Sequence, residues 1–449
     1  MRSNLVYGIV FALAGLVVAP VAGAVAFVGA AALVPVVAAF SAAGLVAAAG
    51  TAWLFGRPLA RRLAPARAAR QEAPPPDAAG PVAGRPRAPR RRPLRRGALW
   101  GYVAGVVLLT AGLAAVTVFS GYPVPPAAAA PPGVSYWNLP TGSRIAYAKI
   151  PASGRARPTP VIFLHGGPGT PGEGVPEGGA ELAAAGFDVY AYDQLGAGRS
   201  TRLQDVAGYT VARHVADLDA IRGAIGAERV ILVGRSWGGT LTAAYLAAHP
   251  DRVAKAVLTS PGPIWEPAFP GGIGGPWDRL TPAETARADE LSSDPRFLVQ
   301  GLLLQLNPAA AHALVPDAEA DARFRALLLT AKDATGCPGG APAPLHDNRP
   351  GFYGNQLTSA DASAVPDPRP RLRGVRVPTL IVRGECDYLK WDVTYEYRRI
   401  LPASTLVYVR GAGHSIANGR PDLYRDLLTT FLLDRPLPLP AVTSSKEPS

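Results

Sequence analysis

Between Ser3 and Gly56 the chain carries not one charged side chain. A single helix of that length would run roughly 80 Å at 1.5 Å per residue, more than twice the ~30 Å hydrocarbon core of a bilayer. It also far exceeds the short apolar core of a secretory signal. Residues 1–56 are therefore expected to form a hairpin of two transmembrane helices, roughly Leu5–Val25 and Ala32–Phe55, turning near Phe27-Val28-Gly29. A third uncharged run, residues 98–120, has the length of one more span.

Charge is distributed to match. The net charge is +12. Residues 1–133 hold thirteen Arg against Glu72 and Asp77, so 13 − 2 = +11 sits there and 12 − 11 = +1 is left for the remainder. Residues 57–97, rich in Arg, Pro and Ala, are expected to be a disordered loop that stays cytoplasmic, because positive loops do. Membrane lipid is the expected partner of this loop and of the helices. With the rest of the chain nearly neutral, nucleic acid is not an expected partner. One crossing after the basic loop puts everything beyond residue 120 outside the cytoplasm. The protein is thus expected in the cell membrane, multi-pass, with that half extracytoplasmic. Residues 121–133 (GYPVPPAAAAPPG) read as an extended Pro/Ala stalk lifting the next domain off the bilayer.

Beyond the stalk, short apolar strands alternate with helical stretches. Ser135–Asn138 and Arg144–Ile150 flank Pro140-Thr141-Gly142 as a hairpin. Strands are then predicted at Val161–Leu164, Phe187–Tyr192, Val230–Val233 and Ala254–Thr259, with helices at Gly179–Ala185, Val211–Ile225 and Thr240–Ala248. The series resumes at Thr379–Val382 and Leu406–Val409 and ends in a helix near Asp422–Leu433. Such alternation predicts an α/β fold, a mostly parallel sheet with helices on both faces, preceded by the transmembrane helices. The core is assigned to residues 134–263 and 374–438. A helical lid inserted over the carboxyl ends of the strands takes residues 264–373, and a disordered tail residues 439–449. Cys337 and Cys386 match no metal spacing, no metal or cofactor is expected, and two unpaired thiols are expected ahead of a disulfide.

Gly234-Arg235-Ser236-Trp237-Gly238 has the form G-x-S-x-G. The form alone is common in a Gly-rich chain, but here it follows a strand and opens a helix, the context a strained nucleophile elbow requires. Small neighbours at Gly234, Gly238 and Gly239 would let the Ser236 hydroxyl stand clear. A serine hydroxyl needs a base, and the base needs an orienting acid. Asp387 follows the strand Thr379–Val382 and His414 follows Leu406–Val409, in the chain order Ser, Asp, His that this arrangement uses. Ser236, Asp387 and His414 are therefore the candidate triad, with Glu385 the nearest rival for the acid. His214 and His249 on helices, and His312 and His346 in the lid, are read as structural. The loop His165-Gly166-Gly167-Pro168-Gly169 follows another strand end, and the backbone N–H groups of Gly167 and Trp237 are the candidate oxyanion hole.

Five segments taken together, HGGPG at 165–169, DQLGAGRS at 193–200, GRSWGGT at 234–240, GECD at 384–387 and GAGHS at 411–415, resemble the proline iminopeptidases. These are a serine aminopeptidase branch (family S33) of the α/β-hydrolases. The resemblance covers about residues 135–433 without most of the lid. It implies an α/β-hydrolase fold and release of an N-terminal residue from a small peptide through an acyl-enzyme at Ser236, without a metal. It also favours Asp387 over Glu385. Asp193, Gly196 and Ser200 would shape the turn beside the site, and His165 and Gly166 would lie along bound substrate. Leu195 stands where the family usually has Arg, and the lid lacks the usual pattern of acidic residues for the substrate amine. Glu266, Glu290 and Asp347 are the candidates there. An esterase or acyl hydrolase with the same triad is the alternative reading. A non-catalytic ligand-binding protein on a hydrolase fold is the alternative of another class.

Overall fold

Three long helices open the chain in the computed structural model, which describes residues 2–62, 93–340 and 346–448. They are α1 (Arg2–Leu33), α2 (Val37–Arg62) and α3 (Pro93–Val116). Stretches Val6–Leu33, Val37–Ala60 and Arg96–Val116 are long and apolar enough to cross a membrane. The turn between the first two falls at Val34-Pro35-Val36 rather than at residues 27–29. Pro35 has no N–H for a helical bond and disfavours helix at Val34, so the break moves to it. Glycine allows the first two helices to touch: a Cβ on Gly23 would lie 2.9 Å from the Gly44 carbonyl oxygen. Ala19, Ala52, Val103 and Val106 form the seam with α3, and the Tyr102 hydroxyl donates to Ala12 O at 2.7 Å. Residues 63–92, most of the expected basic loop, lie outside the described residues.

The chain divides into two compact units. One comprises Met1–Gly121 with Pro295–Leu314, the other Tyr122–Asp294 with Val315–Ser449. The second holds an eight-stranded sheet of β1 (Ser135–Asn138), β2 (Arg144–Ile150), β3 (Val161–Leu164), β4 (Val189–Tyr192), β5 (Val230–Arg235), β6 (Val253–Thr259), β7 (Thr379–Cys386) and β8 (Ser404–Gly413). Their order is β1-β2-β4-β3-β5-β6-β7-β8; β1, β2 and β4 pair antiparallel and all later pairs are parallel. The central parallel strands are buried along nearly their whole length, which is why they read as continuous apolar runs.

Helices α4 (Gly179–Ala184), α5 (Val211–Ile225) and α6 (Trp237–Ala248) connect the first strands. Between β6 and β7 come α7 (Pro282–Ser292), α8 (Pro295–Leu306), α9 (Pro308–Leu314), α10 (Asp317–Thr330), α11 (Phe352–Ala364) and α12 (Arg369–Leu372). After β7 follow α13 (Trp391–Ile400), α14 (Ile416–Gly419) and α15 (Pro421–Leu432). One core cluster joins Val161, Val233, Val257, Leu380 and Val407 of the sheet to Leu427 and Leu428 of α15. The expected lid does not hold together as one piece. Its middle, α8 and α9, packs with the apolar helices instead.

Three further expectations are corrected. Cys337 and Cys386 form a disulfide. Neighbouring strands 384–386 and 411–413 bring Cys386 beside the turn Asp333–Thr335, a proximity that a separation of 49 residues hides in the sequence. The stalk does not stand free. Tyr122 N–H donates to Glu319 at 3.0 Å, and Arg349 donates to the Pro125 carbonyl, one that no ladder uses. The tail is ordered along the sheet edge: Val442 N–H donates to Leu406 O at 2.8 Å, and Trp391 Nε1–H to Ser445 O at 2.7 Å. Replacing both cysteines by serine is expected to cost about 4 kcal/mol by the chain-entropy relation for a loop of this size. Denaturant unfolding of the full chain in detergent, followed by tryptophan emission, measures it.

Candidate active site

The tight turn from β5 into α6 dictates the conformation of Ser236. Its backbone is held at φ 54°, ψ −121°, a region few non-glycine residues occupy. Its N–H donates to Thr259 O at 3.1 Å, and its carbonyl accepts from Gly239 and Gly262 at 2.8 and 2.9 Å. The flanking glycines are obligatory. A Cβ on Gly238 would stand 2.3 Å from Leu164 O, and one on Gly234 would stand 2.4 Å from Gly238 O. Ser236 itself is only half-buried.

Asp387 and His414 lie at the carboxyl ends of β7 and β8. His414 Nδ1 is 2.7 Å from Asp387 Oδ1, and both side chains are buried. That contact makes Nδ1 the protonated nitrogen, because an ionised carboxylate only accepts. Nε2 is then an acceptor, and it is buried with no hydrogen-bond partner among the described residues. Asp387 Oδ1 also accepts from Leu389 N–H at 3.1 Å. Burial alone would raise the Asp387 carboxyl, but the His414 charge and hydrogen bond, Arg383 and that N–H outweigh it and hold it below the usual carboxylate range. The rival Glu385 points elsewhere: it accepts from Gly411 N–H at 2.8 Å and faces Arg410.

Several residues that sequence reasoning missed complete the surroundings. Arg383 is buried, its Nη1 3.2 Å from Asp387 Oδ2, and it donates to Leu389 O at 2.7 Å. An arginine directly after the apolar run Thr379-Leu380-Ile381-Val382 of β7 was the available signal. Tyr388 stacks on the His414 ring, centroids 4.0 Å apart. Burial and the Asp387 charge push its phenol up, against Arg235 and the Ser236 hydroxyl beside it. From the lid, Arg279 donates to Asp387 O at 2.8 Å, and Thr335 O accepts the His414 N–H at 2.9 Å. No sequence pattern announced those contacts.

The HGGPG loop is fastened by a second network. His165 Nδ1–H donates to Gly166 O at 2.8 Å, and Nε2 accepts from Gln194 N–H at 2.9 Å. Gln194 in turn donates to His165 O and accepts from Trp237 Nε1–H, both at 2.9 Å. Burial pushes His165 down to about 3, which keeps the ring neutral. Gly166 lies against the β5–α6 elbow, since a Cβ there would meet Ser236 Cβ at 3.1 Å. Trp237 opens α6, so its backbone N–H is one of the first-turn donors without an intrahelical acceptor. Gly167 is exposed at φ 114°. Asp193 accepts from Arg199 N–H and from Asn348, and the Ser200 hydroxyl donates to Asp193 O, so these residues are bound up in their own turn. Leu195 is buried.

The lid carboxylates have partners within the lid. Glu266 is exposed and accepts from Ser363 at 3.0 Å, Glu290 pairs with Arg287, and Asp347 pairs with Arg325. The structure brings His414 together with Asp387 and sets Gly166 against Ser236; the Glu266 carboxylate bonds to Ser363 of the lid.

The profile of the alpha/beta hydrolase fold matches residues 159–417, more than half of the chain. The chain belongs to the α/β-hydrolase family. Among its hydrolase relatives, a proline iminopeptidase of Heyndrickxia coagulans is 39% identical over 129 residues, 28% of this chain and 43% of that protein. Another, from Neisseria meningitidis, is 39% identical over 112 residues, 24% of this chain and 34% of that protein. These matches span less than half the length of the relatives. A crystal structure of a Mycobacterium smegmatis proline iminopeptidase aligns with a TM-score of 0.43 and 22% identity, over 67% of this chain and 98% of that one.

Within the hydrolase unit, His214 sits beneath the elbow, edge-on to the Trp237 ring, with Nε2 3.1 Å from Thr358 Oγ1. Burial lowers it to about 4. An unfolded histidine binds its proton near pH 6.5, the folded one only near 4, so stability is lost as pH falls through that window. His214→Gln is expected to lower the slope of unfolding free energy against pH by about 1.4 kcal/mol per unit between pH 6 and 4.5. Parallel urea titrations at several pH values read this difference.

Proposed function

We propose that the protein is a membrane-anchored serine hydrolase, an aminopeptidase of the proline iminopeptidase type acting outside the cytoplasm. The observation that carries the chemistry is the buried Asp387–His414 hydrogen bond, which leaves Nε2 of His414 as an acceptor at the site of the serine elbow. In this reading Nε2 takes the Ser236 Oγ proton as the oxygen attacks the scissile carbonyl carbon. The developing oxyanion is held by the N–H groups of Gly167 and Trp237. The imidazolium then gives its proton to the leaving amine, and the acyl group stays on Ser236. Water, deprotonated by Nε2, attacks the acyl carbon and releases the N-terminal residue as its free acid. His414 returns the proton to Ser236. The scheme needs no cofactor, and Asp387 keeps the imidazole in the required tautomer throughout.

The three apolar helices and the concentration of Arg between the second and third support the membrane placement. The Cys337–Cys386 disulfide supports an oxidising, extracytoplasmic location for the hydrolase unit. Likeness to the proline iminopeptidases over the matched residues supports the peptide substrate. A second reading, an esterase or acyl hydrolase, is favoured by the engagement of Glu266, Glu290 and Asp347 with other lid residues. The test uses fluorogenic Pro-, Ala- and Leu-amides, each free and N-acetylated, beside short p-nitrophenyl esters. Turnover of the amides only with a free amine is the expected result. Turnover of esters alone moves the protein to the second reading.

A further inference from the structure

Helix α8 buries Arg296, Gln300, Leu303 and Leu304, yet it leaves a second leucine row outside: Leu298, Leu302 and Leu306 are 58, 47 and 50% exposed. These leucines recur every four residues and so share one face, with Gly301 and Gln305 beside them. In a water-soluble helix the apolar stripe faces the core, and an exposed one marks an interaction surface.

Its anchors show where that surface lies within its own unit. The last carbonyls of a helix lack partners within it. Of those at the end of α1, Ala31 O accepts from Asn307 Nδ2 at 3.0 Å, at the corner between α8 and α9. Arg296 donates to Val118 O, just past the end of α3, and to Leu314 O, each at 2.7 Å. The segment thus caps the ends of two apolar helices on one side, where the chain also exposes Leu33, Val34, Val36 and Val116. A helix lying in a bilayer interface buries such a leucine face at the headgroup–acyl boundary.

We propose that α8 is an interfacial membrane helix whose Leu298–Leu302–Leu306 face is embedded in the outer leaflet of the bilayer that α1, α2 and α3 cross. This rests on the membrane reading above. Because α8 and α9 interrupt the lid between α7 and α10, the proposal makes a lid segment a lipid-bound element.

Both native cysteines are in the disulfide, so an introduced cysteine is a unique label. The full chain is reconstituted in phosphatidylcholine–phosphatidylglycerol vesicles with an environment-sensitive fluorophore at Leu298→Cys, Leu302→Cys or Leu306→Cys. Leu108→Cys on α3 reports the membrane reading, and Asp422→Cys reports water. Expected are a blue shift and loss of emission at all three α8 positions with lipids spin-labelled near the headgroup, and loss at Leu108 with lipids labelled deep in the chain. Asp422 should respond only to aqueous iodide. If Leu108 responds to lipid and the α8 positions only to iodide, the inference fails and the membrane reading stands. If Leu108 fails too, the membrane reading fails. Blue-shifted α8 probes reached by neither quencher would mean that protein covers the face, a second copy included, and would overturn the proposal.

Discussion

Ser236→Ala is expected to lower turnover of whichever substrate class the protein hydrolyses by roughly 10⁴-fold or more, as loss of the nucleophile does in other serine hydrolases. The fold should survive. Ser236 contributes its backbone N–H and carbonyl to the elbow, and alanine keeps both bonds. Alanine must still adopt φ 54°, but serine bears that same strain. The comparison is made on full-length protein in detergent, with circular dichroism and thermal midpoint beside the kinetics. A variant with native-like stability and no turnover places the chemistry on Ser236. Retention of more than a few per cent of turnover would remove Ser236 as the nucleophile and with it the proposed acyl-enzyme.

Arg383→Met should cause a large loss of stability. The guanidinium is buried against an equally buried carboxylate, so its removal leaves the Asp387 charge with one cation fewer in a site that water does not reach. Breaking a buried pair from one side typically costs about 3–5 kcal/mol. Two consequences are separable. Unfolding free energy should fall by that order, as read by denaturant titration. The Asp387 carboxyl should also rise, because Arg383 is one of the groups holding it down. The acid limb of kcat/KM should therefore move to higher pH in the variant. A stability loss with an unmoved pH profile would show Arg383 to be structural only. Arg383→Lys keeps the charge but loses the fork that also reaches Leu389 O, and it should fall between the two.

The strand-to-helix elbow at Ser236 and the long apolar helices were legible from sequence for a local reason. Charge-free length, a strand followed by G-x-S-x-G, and an acid and a histidine just past successive strands are patterns within a few residues, and their physical demands are local too. A nucleophile elbow needs small neighbours within two residues, and a span needs about twenty apolar ones. β1, β2, β3 and α5 accordingly lie where the pattern puts them. The first turn was placed at Phe27-Val28-Gly29, and the proline that decides it, Pro35, lies six residues beyond Gly29.

What only the tertiary structure decided depends on residues far apart in the chain. The choice of Asp387 over Glu385 turns on side-chain direction at the end of β7, which period-two alternation alone does not settle beside a bulge. The disulfide exists because strand pairing and a lid turn bring Cys337 to Cys386. The stalk read as an extended spacer and the tail as disordered. Their order comes from individual hydrogen bonds to Glu319, Arg349, Leu406 and Trp391. The lid was read as one insertion from the helical periodicity of the segments between β6 and β7. That periodicity shows which residues share a face. It cannot show whether the face is buried, and for α8 only the packing puts Arg296 inside and Leu298, Leu302 and Leu306 outside.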